Sequence, residues 1–208
     1  METRAGRKTK VAFIVWIGVR WFHLEWLAKG LDRERFDLCF ILVRLNGQEM
    51  YMERFVREQG IPYLALDCYI RPGSLWKTIW AIRGYCRREG VDVVHTHIFL
   101  ASLVGLVGAF LARVPRRLNT RHHLISNHGK PTLWLDRLAN TLATRTIVAS
   151  RVVYDVLAKK EGVPERKLAL VPFGLDLECF RGIAPERIEA LRQKYATDGK
   201  GPVIGVLA

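Results

Sequence analysis

The chain has 208 residues, half of them apolar, enough for one full core but not for two ordinary domains. Thirty-three Lys and Arg against 20 Asp and Glu leave a net charge of +13, which favours polyanionic partners such as phosphates, nucleic acid or anionic lipid. The four cysteines, Cys39, Cys68, Cys86 and Cys179, form no C-x-x-C pair, and the basic lead-in before Val11 opens onto too short an apolar run for a signal peptide. Reduced thiols and a cytoplasmic location are therefore the expectation.

Val11 to Ile17 is a continuous run rich in β-branched residues, which predicts a strand covered on both faces. Trp21, Leu24, Leu27, Ala28 and Leu31 then repeat at helical spacing. The alternation continues with a strand over 37–43, helix 48–58, strand 63–66, helix 74–88, strand 91–95 and helix 101–112. The apolar stretch Ile98 to Ala112, about 15 residues long, is short of the roughly 20 that a spanning helix needs, so it predicts a buried helix. Gly105 and Gly108 within it predict close packing.

Strand 116–120, a polar loop 121–130, helix 132–143 and strand 146–149 follow, with Ser150 placed to cap the next helix. Gly162-Val163-Pro164 ends that helix, 168–171 is a further strand, 174–180 a linker, 185–195 a helix, 198–202 a turn and 203–207 a fresh buried strand. Such alternation predicts an α/β domain, Rossmann-like and doubly wound, with a mainly parallel sheet and helices on both faces. The predicted division is a lead-in over 1–9, the main domain over 10–180, a linker and helix over 181–202, and the first strand of a second domain over 203–208.

Ligands of open α/β sheets bind at the carboxyl ends of the strands, which directs attention to four places. After the first strand, Gly18 allows close backbone approach to a ligand and Arg20 opens a helix whose N-terminus favours anions, although no G-x-G-x-x-G is present. In Asp92-Val93-Val94-His95-Thr96-His97, strand alternation puts His95 and His97 on one side, with His97 nearest the edge. Asn119-Thr120-Arg121-His122-His123 with His128 gathers imidazoles able to act as acid or base and cations suited to phosphate. No carboxylate or cysteine completes a familiar zinc spacing in that loop, so no metal is expected. The fourth place, Val171-Pro172-Phe173-Gly174-Leu175-Asp176, reads as a domain-leaving turn.

Taken in order, Asp92 to His97, Arg121-His122-His123 with His128, Trp134 to Leu138, Ile147 to Ser150, Gly162-Val163-Pro164 and the exit through Asp176 with Phe180 resemble the N-terminal domain of the family 4 glycosyltransferases, retaining enzymes of the GT-B fold. The resemblance implies that this half binds the acceptor, while a second half holds most of a UDP- or GDP-sugar donor. No cofactor is implied beyond that co-substrate, and without the donor half the chain is expected to be inactive.

The family's first loop often has paired glycines where this chain has only Gly18. Its E-x7-E motif lies in the second domain, so the same spacing at Glu178 and Glu186 counts as accidental. By resemblance His122 is the catalytic residue beside the transferred sugar, with Gly18, Arg20, His97, Arg121, His123 and His128 binding donor phosphate or acceptor. The alternatives are a non-catalytic α/β module for an anionic small molecule and a nucleic-acid protein, for which zinc-finger spacing and RNA-binding aromatic signatures are lacking. Arg87, Arg88, Arg113, Arg116 and Arg117, lying near aromatic residues, suit a peripheral contact with an anionic membrane surface better.

Overall fold

The computed structural model describes residues 7–16, 20–45, 47–122 and 130–195, with the backbone alone for 45, 130–133, 179 and 180. It divides into two compact units, Met1–Gly174 and Leu175–Ala208. The expected turn 198–202 and strand 203–207, together with Gly18, His123 and His128, lie outside the described residues.

The first unit is built on seven strands, β1 (Thr9–Val15), β2 (Phe36–Leu45), β3 (Tyr63–Cys68), β4 (Val93–His97), β5 (Arg116–Arg121), β6 (Arg145–Val148) and β7 (Leu168–Leu170). All pair in parallel, in the order β3-β2-β1-β4-β5-β6-β7. The order reverses between β1 and β4, where two crossovers diverge and leave a crevice at the carboxyl edge. Val15, His97 and Thr120 stand level there, since Val15 pairs with His97 and His97 with Thr120.

Six helices alternate with these strands: α1 (Phe22–Gly30), α2 (Tyr51–Glu58), α3 (Pro72–Arg88), α4 (Phe99–Leu111), α5 (Lys130–Leu142) and α6 (Arg151–Lys159). Period-two alternation sorts the buried side chains into two cores. Val11, Phe13 and Val15 face α1 and α2 with Leu38, Phe40 and Leu42. Ala12, Ile14, Cys39 and Ile41 face α3 and α4 on the other side. Cys39, Cys68 and Cys86 are free thiols within these layers, and burial pushes the Cys39 thiol up to about 11, too high for an exposed-thiolate role.

The second half of the unit is fastened by polar contacts at element ends. Ser150 caps α6 as its position predicts, accepting from the Val153 amide at 3.4 Å. At the far end of α5 the Lys167 ammonium donates to the carbonyls of Asn140, Thr141 and Ala143 at 3.2, 2.9 and 2.9 Å, answering C-terminal groups that the helix itself leaves open. In the second unit, a 3-10 helix (Leu177–Phe180) precedes α7 (Pro185–Tyr195), whose side chains are all exposed.

The close approach expected of the α4 glycines is present. A Cβ on Gly105 would meet the Thr96 Cγ2 of β4 at 2.8 Å, and one on Gly108 would meet the Ile82 Cγ2 of α3 at 2.8 Å. Gly105 thus sets the distance from α4 to the sheet, and Gly108 the distance from α4 to α3. Among the described residues no helix is long and apolar enough to cross a membrane.

Candidate functional site

Four imidazoles converge where β1, β4 and β5 end. His95 and His97 project from the same face of β4, as alternation requires, with ring centroids 4.2 Å apart. His122, one residue past β5, brings its Nε2 to 3.4 Å from His97 Nδ1. His23, in the first turn of α1, lies with its ring centroid 5.5 Å from that of His122.

Aromatic side chains wall this cluster. Trp21 meets the His122 ring edge-on at 4.9 Å, and Phe173 stacks on its other side at 5.5 Å and 18°. Phe13 closes the floor beneath His95 and His97. Phe173 therefore gives the exit after β7 more than a turning role. Its signal in the sequence is an aromatic residue just after a strand end; His23 and Trp21, which the helical stripe hides, carry no such signal.

Burial sets the charge of the cluster. His95 is held down to about 4, mainly by desolvation, with a smaller contribution from His23. His97 is pushed well below its ordinary value by full burial and then by the neighbouring imidazoles, and His23 is lowered by burial. These three are neutral near pH 7. His95 Nε2 shares a 2.7 Å hydrogen bond with Thr120 Oγ1, which fixes that ring.

His97 Nε2 is buried without a partner. An orphaned acceptor costs less than an orphaned N–H, which places the His97 proton on Nδ1, donating to His122 Nε2.

His23, His97 and His122 each offer a ring nitrogen within 4.8 Å of the others. The 3.4 Å pair matches an edge of a tetrahedral zinc site, about 3.4 Å for Zn–N bonds near 2.1 Å. Among the described residues no carboxylate belongs to this group, and His97 Nε2 has no second-shell acceptor of the kind that metal-bound imidazoles usually have. The set fits a hydrogen-bonding box better than a metal centre.

Arg121 and Arg20, both expected at the site, are already engaged. The sequence suggested that a polar loop starts at Arg121, but β5 runs through that residue. Alternation consequently sends its guanidinium to the sheet face opposite His122, where it bonds Asp136 at 2.5 Å and Glu161 at 3.2 Å. Asn140 donates to the other oxygen of Glu161 at 2.9 Å. Arg20 grips the buried Glu25 at 2.8 and 3.0 Å and lies over the Phe22 ring, bracing the start of α1.

Beside the box, a cavity of about 80 Å³ opens between the ends of β4 and β5 and the first turn of α4. Asn119, Thr120, Arg121 and His122 line it from the strand side, and Ile98, Phe99 and Ser102 from the helix side. Asn119 accepts from Ser102 at 2.8 Å, while its own amide nitrogen is buried without a partner. Ile98 has φ 70°, a left-handed backbone that a β-branched residue rarely adopts. Strain of this kind, worth about 1–3 kcal/mol, gathers at functional strand ends.

In sequence and in fold the chain is similar to known glycosyltransferases. The model of glycosyltransferase family 4 matches residues 22–179. A curated Escherichia coli protein, UDP-Gal:alpha-D-GlcNAc-diphosphoundecaprenol alpha-1,3-galactosyltransferase, is 26% identical over 174 residues, covering 78% of this chain and 44% of its own. A glycosyltransferase from Rickettsia africae superposes with a TM-score of 0.72 at 16% identity, over 94% of this chain and 51% of its own. The UDP-GlcNAc 2-epimerase of Methanocaldococcus jannaschii shares the fold at a TM-score of 0.61 and 17% identity, over 91% and 54% of the two chains. The chain thus spans about half the length of the relatives it matches. With most of the chain matched by the family model and the sheet order in agreement, it belongs to glycosyltransferase family 4, as the Rossmann-like N-terminal half of a GT-B fold.

Proposed function

We propose that the protein transfers a sugar from a nucleotide-sugar to a hydroxyl of a lipid-linked saccharide, with this half providing the acceptor side and the groups around the reacting carbon. The observation that carries the reading is the meeting of His23, His97 and His122 at the carboxyl edge beside the β1–β4 reversal. The name of the E. coli relative supports a UDP-sugar donor and a diphosphate-linked polyprenol acceptor. A membrane surface, where such an acceptor resides, is part of the proposal, as is a cytoplasmic location.

His122 is assigned the hydrogen bond to the transferred sugar. His97 is a positioning residue, holding His122 from a site where it is itself fully buried. The donor diphosphate is placed over the β1–α1 turn, which carries Gly18 and Arg20 and opens on the α1 N-terminus. Arg121 borders the cavity with its charge already answered by two carboxylates, so its effect on an anionic group is weak.

Transfer with retention has the acceptor oxygen attack the anomeric carbon on the face from which the phosphate departs. The bond to the phosphate oxygen breaks as the new C–O bond forms, and the hydroxyl proton passes to the leaving phosphate. Among the described residues no carboxylate joins the three imidazoles, and the one lining the adjoining cavity, Asp136, is held by Arg121, which supports this route.

The test is His122→Ala in the full-length enzyme, assayed with a UDP-sugar and a polyprenol-diphosphate saccharide in the presence of EDTA. Losing a preorganised hydrogen bond that strengthens in the transition state lowers kcat by about 10²-fold with little change in thermal stability. Normal turnover by the variant would sink the assignment.

A further inference from the structure

Away from the site, α3 carries one stripe that the core does not use. Trp76, Trp80, Arg83 and Arg87 recur at helical spacing and so share a face. Trp76 is 56% exposed and Trp80 47%. Beside them the end of α4 and the start of β5 contribute Phe110, 51% exposed, with Arg113 and Arg117.

All of these but Trp76, which lies one turn away on the same stripe, line a shallow depression of about 530 Å³, and its lining includes four arginines and no carboxylate. Among the described residues no ion pair engages Arg83, Arg87 or Arg113. Arg83 lies 4.5 Å above the Trp80 ring and Arg117 5.5 Å above that of Phe110, so the cations stay on the aromatic surface.

Contiguous aromatic surface bounded by unpaired cations marks a binding face. Indole rings prefer the headgroup layer of a bilayer, where the apolar body and polar N–H are both accommodated, and guanidinium groups pair well with lipid phosphates. A second copy of the chain on a two-fold axis would set these arginines against one another. The chain's overall charge of +13 works in the same direction.

We propose that the α3–α4 face docks on an anionic bilayer, with Trp76, Trp80 and Phe110 entering the headgroup layer and Arg83, Arg87 and Arg113 holding lipid phosphates. This deepens the lipid-linked acceptor reading by assigning the face through which the chain meets the membrane. In the parallel sheet the start of α3, with Trp76, lies toward the strand-end edge that carries the imidazoles, whereas Arg87, Phe110 and Arg113 lie toward the opposite edge, so the face runs along the side of the unit.

Co-sedimentation with phosphatidylcholine vesicles, with and without phosphatidylglycerol, tests the proposal in the absence of donor or acceptor, so its outcome is independent of transferase activity. The chain should bind the anionic vesicles and release them as salt is raised. The pair Arg83→Glu, Arg87→Glu should weaken binding at least about tenfold, and Trp76→Ser, Trp80→Ser should reduce what persists at high salt. Lys29→Glu, Arg54→Glu, the same charge change on α1 and α2, should leave binding nearly intact. Circular dichroism melting confirms that each variant is folded. Equal, negligible binding to both vesicle types would overturn the proposal, as would equal loss in the α1–α2 pair or retention of single-stranded RNA with no vesicle binding.

Discussion

An imidazole that is neutral because it is buried makes stability depend on pH in a definite direction. In the unfolded chain His95 titrates near 6.5, whereas in the folded chain it is held to about 4. Between those values the unfolded state binds more protons, so stability falls with pH through that window and levels off below about 4. The full difference for His95 corresponds to about 3 kcal/mol; His97, also lowered by burial, adds to the loss in the same direction. Chemical denaturation from pH 7.5 to pH 4 should show this slope, and His95→Gln should flatten it. An unchanged slope in the variant would remove His95 as its source. The same rings show what a sequence reveals at this scale. His95 and His97 were legible because two-residue spacing in a strand fixes a shared side. Arg121 was not, because its side depends on whether β5 ends before or after it, and one residue of strand separates the two faces. His23 was hidden by its helix, whose apolar stripe accounts for its neighbours but not for a polar residue beside Trp21.

Elements are positioned by how closely their backbones can approach, and three helical glycines separate this from simple helix propensity. Gly105 and Gly108 face side chains already within 3 Å of where a Cβ would be, while Gly84 in α3 has nothing within 4 Å. Gly108→Ala should destabilise the protein by about 1–3 kcal/mol, because Ile82 and the adjoining α3 backbone must shift. Gly84→Ala should instead stabilise it by about 0.5–1 kcal/mol, through helix propensity alone. Thermal melts of the two variants check both signs, and movement in the same direction would refute the packing account. The order and type of the elements were readable from sequence because β1, β2 and β4 are short runs rich in buried apolar residues and α1 to α4 carry apolar stripes. Their ends were less so. β4 extends through His97 rather than stopping at His95, and α3 starts at Pro72, which suits a first helical position, rather than at Ser74. Both extensions depend on neighbouring strands and on backbone bonds that a single segment does not display. The Arg121–Asp136–Glu161 network was also beyond reach, since it joins β5, α5 and the segment after α6 across long stretches of chain.

The whole molecule raises a question that the architecture by itself leaves undecided. A Rickettsia glycosyltransferase and an archaeal UDP-GlcNAc 2-epimerase both share this fold, so the fold by itself does not fix the chemistry. The two differ in what must happen at the sugar. Inverting a ring carbon requires removing a C–H proton and returning it from the other side, which calls for a base and an acid facing the ring. Transfer requires the sugar and an incoming hydroxyl to be held in line, with the departing phosphate accepting the proton. Three of the imidazoles in the box are lowered by burial and neutral, His97 is tied to His122, and the nearest carboxylates of the buried network are committed to Arg121 on the opposite sheet face. Such an environment suits orientation by hydrogen bonds far better than C–H abstraction. The full-length protein incubated with UDP-GlcNAc alone should therefore leave the sugar unepimerised at C2 in deuterated buffer, with no deuterium incorporated by NMR. With a polyprenol-diphosphate saccharide and the matching UDP-sugar, UDP release should instead equal the glycolipid formed. Deuterium at C2 without acceptor would assign the chain to the epimerising branch of this architecture.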